Sequence, residues 1–157
     1  MLPKELIHFL QALRPSRFGR AAAKKPKIVK DVVGAADWMA KALCSSGYGA
    51  NFSLESFREI DRFFDDQAPD GKPRPTGLLS EQLGQRIFGI GAYIGEVIRH
   101  EVGGEWIGDD ADPQAEINVA IRQENGTTIW PVRLVMKRFQ SGPNESVYAF
   151  GVGLTRD

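Results

Sequence analysis

The sequence predicts an α+β fold, with about five helices packed around a glycine-lined central helix and a small antiparallel three-stranded sheet in the C-terminal half. Two observations carry this prediction. Apolar residues recur every three or four positions in successive segments up to residue 101, which is typical of helices. Beyond Gly103-Gly104, apolar and polar residues alternate on either side of an Asn125-Gly126 pair, which is a strong hairpin signal.

Three helices are predicted before the central one. Pro3 suits a first helical position, and the apolar face of residues 3–13 indicates a short first helix. A second helix covers residues 28–46. A third begins at Ser53, whose hydroxyl can accept a hydrogen bond from one of the first free amides. The proline- and glycine-rich stretch 67–77 then predicts a surface loop.

The central helix is predicted from about Leu78 to Glu101, and it contains four glycines. Each glycine in a helix interior costs about 1 kcal/mol relative to alanine. At about 100° per residue, Gly84, Gly91 and Gly95 lie along one line beside the apolar stripe. We therefore predict that another element packs unusually close to this line, so that the added contacts offset the lost helix propensity.

The sheet is predicted from short strands around Trp106 and over residues 115–123, followed by a returning strand. A two-residue loop at Asn125-Gly126 would pair Ile121 with Trp130, so that both side chains face the core.

Two further helices are predicted beyond the sheet. One starts at Pro131 and ends at the Gly142-Pro143 break. The last segment, residues 144–157, fits either a helix or a strand. We favour a helix capped by Asn144, because that residue directly follows the break.

The composition is that of an ordinary globular protein. The chain has 157 residues, of which 42% are hydrophobic and 25% are charged, enough for one domain with a core. We predict an N-terminal helix and basic linker over residues 1–27 and a single α+β domain over residues 28–157. No apolar run approaches the roughly 20 residues that cross a bilayer. The only cysteine, Cys44, fits a reducing compartment, so we expect a cytoplasmic protein without a membrane span.

The net charge is zero but unevenly distributed. Residues 1–50 contain nine Lys/Arg and three Asp/Glu, a net charge of +6, whereas residues 51–157 contain eleven and seventeen, a net charge of −6. The basic excess is concentrated in residues 14–27, which hold six positive charges and no acid. Such a run can contact nucleic acid or an anionic membrane. We favour a solvated linker that lies against the protein's own acidic half, because no binding motif or set of aromatic residues accompanies the charges.

Side chains that carry chemistry are scarce, since the chain has two histidines and one cysteine. Glu96 and His100 are four residues apart on one face of the central helix, and Tyr93 lies on that side too. A carboxylate, an imidazole and a phenol together can bind a ligand or move a proton. The alternative interpretation is an ion pair between Glu96 and His100, with buried hydrogen bonds that tie the helix to its neighbours.

A buried Glu96 would need a partner, for which Arg133, Arg138 or a backbone amide is expected. Two ligands on one helix are too few for a metal site. The acidic stretch 108–113 lacks the pattern of a calcium-binding loop and is interpreted as a charged turn. We predict no metal, no cofactor and no catalytic residue. The candidates for binding a ligand or a partner are Tyr93, Glu96, His100 and Trp106.

From residue 54 onward, the order of motifs resembles that of small bacterial domains of unknown function. In those domains a "GAYxGEV" helix precedes a "GGxW" strand entry, and here "GAYIGEV" precedes "GGEW". The resemblance covers about two-thirds of the chain. It implies a bacterial, soluble α+β domain and no particular reaction. It depends on Gly91, Ala92, Tyr93, Gly95, Glu96, Gly104 and Trp106.

Two functions of different class remain open. We favour a non-enzymatic protein-binding module, of the interaction or immunity type, because the sequence contains no catalytic motif and its charge is uneven. The alternative is a small enzyme or ligand-binding protein that uses Tyr93, Glu96 and His100. That alternative requires the three side chains to line an open pocket.

Overall fold

The computed structural model describes residues 24–156, and it confirms the α+β class. The predicted helix over residues 3–13 and most of the basic segment lie outside the described residues. Two short 3₁₀ helices, Leu54–Ser56 and Gly142–Glu145, accompany the main elements. In this range the order is α1 (Lys27–Ser45), α2 (Phe57–Gln67), α3 (Leu83–Glu101), β1 (Glu105–Ile107), α4 (Ala115–Asn118), β2 (Ala120–Arg122), β3 (Thr128–Ile129), α5 (Pro131–Ser141) and α6 (Val147–Leu154).

Helix α1 is capped by a residue from a distant part of the chain. Pro26 precedes the helix and offers no side-chain acceptor. The carboxylate of Asp110, in the acidic turn 108–113, accepts hydrogen bonds from the backbone N–H groups of Lys27 (2.8 Å) and Ile28 (2.9 Å). A negative charge at this end also complements the helix dipole. The acidic turn thus holds the start of α1 against the C-terminal half.

Helix α3 starts later than the sequence predicts, at Leu83 instead of Leu78. The preceding residues form turns, in which the Ser80 N–H donates to the Gly77 carbonyl at 3.1 Å. Gln82 has a φ of +52°, a left-handed conformation that interrupts a helix. The prediction was wrong here because the apolar pattern of Leu78 and Leu83 continues through a stretch whose backbone is not helical.

The glycines of α3 allow close packing at two of the three predicted positions. Helix α3 lies in the core, between α1 and α5. A Cβ atom on Gly91 would lie 2.7 Å from the Cα atom of Val132, and one on Gly95 would overlap the indole ring of Trp106. The prediction is wrong for Gly84, which is exposed and has no described atom within 4 Å of its Cβ position.

The second strand is shorter than the sequence predicts. Residues 115–118 form the helical turn α4, and only Ala120–Arg122 pair as β2. The carboxylate of Asp112 favours this turn, because it accepts hydrogen bonds from the Gln114 N–H (2.8 Å) and the Asn118 side-chain amide (2.7 Å). The alternating pattern therefore indicates which side of the segment is buried, but it does not predict that residues 115–118 are helical.

The hairpin register also differs from the prediction. The three strands are antiparallel in the order β1-β2-β3, and Ile121 pairs with Ile129 instead of Trp130. The loop has three residues, and its last one, Gly126, has a φ of +87°. This is the hairpin that combines a type I turn with a left-handed glycine. As a result, Trp130 does not face the core and is 40% exposed.

The C-terminal segment is helical, as favoured, but Asn144 is not its cap. Asn144 lies in the 3₁₀ helix, and α6 begins after Ser146, whose hydroxyl accepts a hydrogen bond from the Ala149 N–H at 3.1 Å. The carboxylate of Asp61 on α2 accepts from the first two amides of the helix, those of Val147 (3.0 Å) and Tyr148 (3.1 Å). A side chain from another helix thus completes the cap.

A buried ion pair connects α2, α5 and α6. The guanidinium of Arg138 is 2% exposed and donates to the carboxylates of Asp61 (2.9 Å) and Asp65 (2.7 Å). It also donates to the Asp61 carbonyl at 3.1 Å. Because a buried charge without a partner is strongly destabilising, this pairing requires that the three helices keep their relative positions.

We predict opposite effects for two glycine-to-alanine substitutions in helices. Gly91→Ala places a methyl group against the backbone of Val132 and should lower the free energy of unfolding by about 1–3 kcal/mol. Gly34→Ala, in α1, is the matched control, because no atom of residues 24–156 lies within 4 Å of its Cβ position. It should raise the free energy of unfolding by about 0.5–1 kcal/mol through helix propensity alone. Urea denaturation measures both values, and equal stabilisation by the two variants would contradict the close packing.

Candidate functional site

Tyr93 is completely buried, and its hydroxyl belongs to a chain of hydrogen bonds. The ring is 0% exposed. The hydroxyl accepts from the Phe52 N–H at 2.9 Å and lies 2.6 Å from the Ser56 hydroxyl oxygen. Since Ser56 donates its own proton to the Ser53 carbonyl (2.6 Å), Tyr93 is the donor to Ser56. Burial raises the pKa of Tyr93 above its usual value, and the hydrogen bond that the Phe52 N–H donates to the Tyr93 oxygen offsets part of that rise.

Glu96 is buried and accepts hydrogen bonds from two side chains. It is 5% exposed. Its carboxylate accepts from the Arg99 guanidinium, at 2.6 Å from Nε, and from Trp106 Nε1 at 3.1 Å. Burial alone would raise the pKa of Glu96, but these two hydrogen bonds and the nearby positive charge of Arg99 together lower the pKa below its usual value. The prediction that Arg133 or Arg138 pairs with Glu96 is therefore wrong.

The reason that Glu96 pairs with Trp106 is steric. The missing side chain of Gly95 lets the indole ring approach α3 until its N–H reaches the neighbouring carboxylate. Arg99 lies one helical turn further along the same face and completes the arrangement. Arg138, in contrast, is occupied by Asp61 and Asp65.

His100 lies at the surface beside this pair. Its Nε2 atom is 3.3 Å from the Arg99 guanidinium, which stands between the imidazole and Glu96. The structure therefore brings Glu96, His100 and Trp106 into one neighbourhood, whereas the Tyr93 hydroxyl contacts the segment before α2. Tyr93 and Glu96 are closed to solvent, so this geometry gives no support to the alternative hypothesis of an enzyme or ligand site built from them.

The residues of the GAYxGEV…GGxW resemblance form a packing unit in this chain. Gly91 accommodates α5, Gly95 accommodates Trp106, and Glu96 accepts the indole N–H. Gly104 has a φ of +119°, a conformation that favours glycine where the chain turns into β1. Within residues 24–156, no cluster of three His, Cys, Asp or Glu side chains is arranged to hold a metal ion.

A different surface has the features of a binding site. Trp38 on α1 is 62% exposed. It borders a cleft of about 170 Å³ between α1 and α3, which we call the Trp38 cleft. Apolar side chains form most of its wall. It is lined by Trp38, Met39, Ala42, Leu43, Ser46, Phe63, Leu78, Arg86 and Ile90.

Among the described residues that line the Trp38 cleft, Arg86 is the only charged one. Its guanidinium donates a hydrogen bond to the Leu78 carbonyl. None of the ion pairs in the described part of the chain includes Arg86. The cleft therefore combines an apolar depression, an exposed indole and a cation with remaining hydrogen-bonding capacity.

One feature of the sequence points to this surface, although the predicted site residues do not include it. Trp38 falls outside the apolar stripe of α1, although it is the largest apolar residue of that helix. A large aromatic side chain on the polar face of an amphipathic helix lies in solvent unless a neighbour covers it. Arg86 could not be identified in the same way, because its nearness to Trp38 depends on how α1 and α3 pack.

We predict that the hydrogen bonds of Glu96 make its contribution to stability pH-dependent. The folded pKa lies below the usual 4.5. The contribution is therefore present above that value and is lost as the pH falls through the folded pKa. At neutral pH, Glu96→Gln should lower the free energy of unfolding by about 1–3 kcal/mol. The difference from the parent protein should shrink as the pH falls below 4.5 and through the folded pKa of Glu96.

Chemical denaturation at several pH values measures this difference. Glu124→Gln, at an exposed position on the hairpin loop, is the control and should leave the stability curve unchanged. If Glu96→Gln lowers the free energy of unfolding by the same amount at every pH, the charge of the carboxylate does not contribute to stability.

No helix within residues 24–156 combines the length and apolar character needed to cross a membrane. Comparison of the chain with protein-family models, with curated protein sequences and with solved structures gives no match. The candidate site is therefore defined by its own geometry, in which the Trp38 cleft combines an exposed indole with an apolar depression.

Proposed function

We propose that this protein is a non-enzymatic protein-binding module and that the Trp38 cleft is its binding surface. The observation that carries the proposal is the exposure of Trp38 beside an apolar depression. Tryptophan and arginine are enriched among the residues that dominate binding energy at interfaces, and both types border this cleft. A cytoplasmic location agrees with a single cysteine and is part of the proposal.

Burial of Trp38 by a partner would contribute a substantial free energy. A tryptophan side chain buries about 150–250 Å² when it is covered completely. More than half of this residue is exposed in the free protein. At about 25 cal/mol per Å², covering the exposed part is worth about 2–4 kcal/mol before any other contact is counted. This magnitude is that of a residue which dominates an interface.

The shape and charge of the cleft indicate what the partner presents. The volume of about 170 Å³ suits one large apolar side chain. Arg86 at the border suits a carboxylate beside that side chain, because a guanidinium binds carboxylates in a planar, two-bond geometry. The partner in this proposal is a protein with an apolar residue and an acidic residue adjacent on its surface.

We predict that Trp38→Ala weakens partner binding by at least about thirtyfold, the equivalent of about 2 kcal/mol. The folded protein should remain intact, because substitutions of exposed residues usually change stability by about 0.5 kcal/mol or less. The measurement is affinity capture from the native host after chemical cross-linking, with quantitative mass spectrometry of the captured proteins.

The matched control is Trp130→Ala, which removes a second exposed tryptophan outside the Trp38 cleft. It should leave partner recovery unchanged. Equal recovery by the two variants would exclude the Trp38 cleft as the binding surface. Absence of any stoichiometric partner for the parent protein would count against the protein-binding function itself.

A further inference from the structure

A second apolar cleft lies between α3 and α5, and we call it the Met136 cleft. It has a volume of about 330 Å³. Gly84 forms part of its wall, and no described atom lies within 4 Å of the Gly84 Cβ position. The cleft is open, although its side chains are of the type that normally packs in a core. Its apolar walls include Leu83, Ile87, Phe88, Ile117, Met136 and Phe139.

An acidic cleft connects the Met136 cleft with the start of α1. This Asp110 cleft has a volume of about 550 Å³ and carries the carboxylates of Asp31, Asp110 and Glu116. Lys27, the first residue of α1, lies on its border. Glu116 and Ile117 line the two clefts in common. A continuous path therefore leads from Lys27 across acidic surface to apolar surface.

The chain that precedes α1 has the same order of properties. Read from Lys27 towards the N-terminus, the first stretch is the basic segment 14–27, with six positive charges and no acid. Beyond it lies the apolar face predicted for residues 3–13. Residues 1–23 contain four Lys/Arg and one Asp/Glu, a net charge of +3, and residues 24–157 contain 16 and 19, a net charge of −3. Charge and polarity thus match along the whole path.

The lengths also match. A helix over residues 3–13 would be about 16 Å long at about 1.5 Å per residue. On α5, the cleft is lined from residue 132 to residue 140. These nine residues extend about 13 Å at the same rise per residue. Thirteen residues, 14–26, can span at most about 43–47 Å, so the linker can reach from α1 to the cleft. A helix of this length is marginal in isolation and needs a surface that covers its apolar face.

We propose that residues 3–13 of this chain dock in the Met136 cleft, with the basic linker lying across the Asp110 cleft. The segment is an internal ligand of the domain, held by apolar contacts at one end and by attraction between opposite charges along the way. The site is separate from the Trp38 cleft, and the proposal does not depend on the proposed function.

Disulfide trapping in the full chain tests this docking. In a Cys44→Ser background, Leu10→Cys and Met136→Cys place one thiol on the segment and one in the cleft. Oxidised glutathione is added as the oxidant. Docking should hold the two sulfur atoms at high effective concentration, so that an intramolecular disulfide forms at least about tenfold faster than in the control. The control pair is Leu10→Cys with Ala149→Cys, at an exposed position on α6. Non-reducing electrophoresis and mass spectrometry follow the reaction.

A further pair of variants tests whether the trapping depends on the Met136 cleft. Gly84→Leu extends a side chain into the Met136 cleft from an open Cβ position, and it should slow trapping to the rate of the control pair. Gly153→Leu, at another helical glycine with open space, should leave trapping fast. Equal trapping rates for the two cysteine pairs would overturn the proposal. A disulfide that forms only between two molecules would also overturn it, because the occupant would then be a second copy of the chain.

Discussion

The indole ring of Trp106 lies against the backbone of α3 at Gly95, and the positions of three elements depend on this contact. Without a Cβ at Gly95, the ring reaches the carboxylate of Glu96. Pro131, at the start of α5, meets the same glycine, and Val132 packs on Gly91 one turn away. The sheet and α5 are therefore fixed on one strip of α3. Dispersion attraction along this strip offsets the helix propensity that its glycines lose.

The buried charged groups Glu96 and Arg138 are both engaged by partners from the described part of the chain. Glu96 is held by Arg99 and Trp106, and Arg138 by Asp61 and Asp65. Among the described residues, every buried side-chain nitrogen and oxygen has a hydrogen-bond partner. These groups contribute by fixing the relative positions of helices, since each would be costly to bury alone. The two clefts that we propose as binding surfaces lie between α3 and its neighbours α1 and α5.

The sequence was sufficient for features that depend on local periodicity and insufficient for those that depend on register. The α+β class, the helix at Ser53 and the close approach at Gly95 follow from spacing and from missing side chains. The hairpin register does not, because a loop of three residues ending in a left-handed Gly126 has the same Asn-Gly signal as a loop of two. The partners of Glu96 and the neighbours of Trp38 cannot be predicted from local spacing either, because they depend on how distant segments of the chain pack.

A double-mutant cycle between Gly95→Ala and Trp106→Phe tests the central contact most directly. In the parent protein, Gly95→Ala should lower the free energy of unfolding by about 1–3 kcal/mol, because its methyl group meets the indole ring. In the Trp106→Phe background the bulk of the indole is reduced, and the same substitution should cost less than about 0.5 kcal/mol. We expect a coupling energy of at least about 1 kcal/mol, and additive effects of the two substitutions would contradict the close approach of Trp106 to α3.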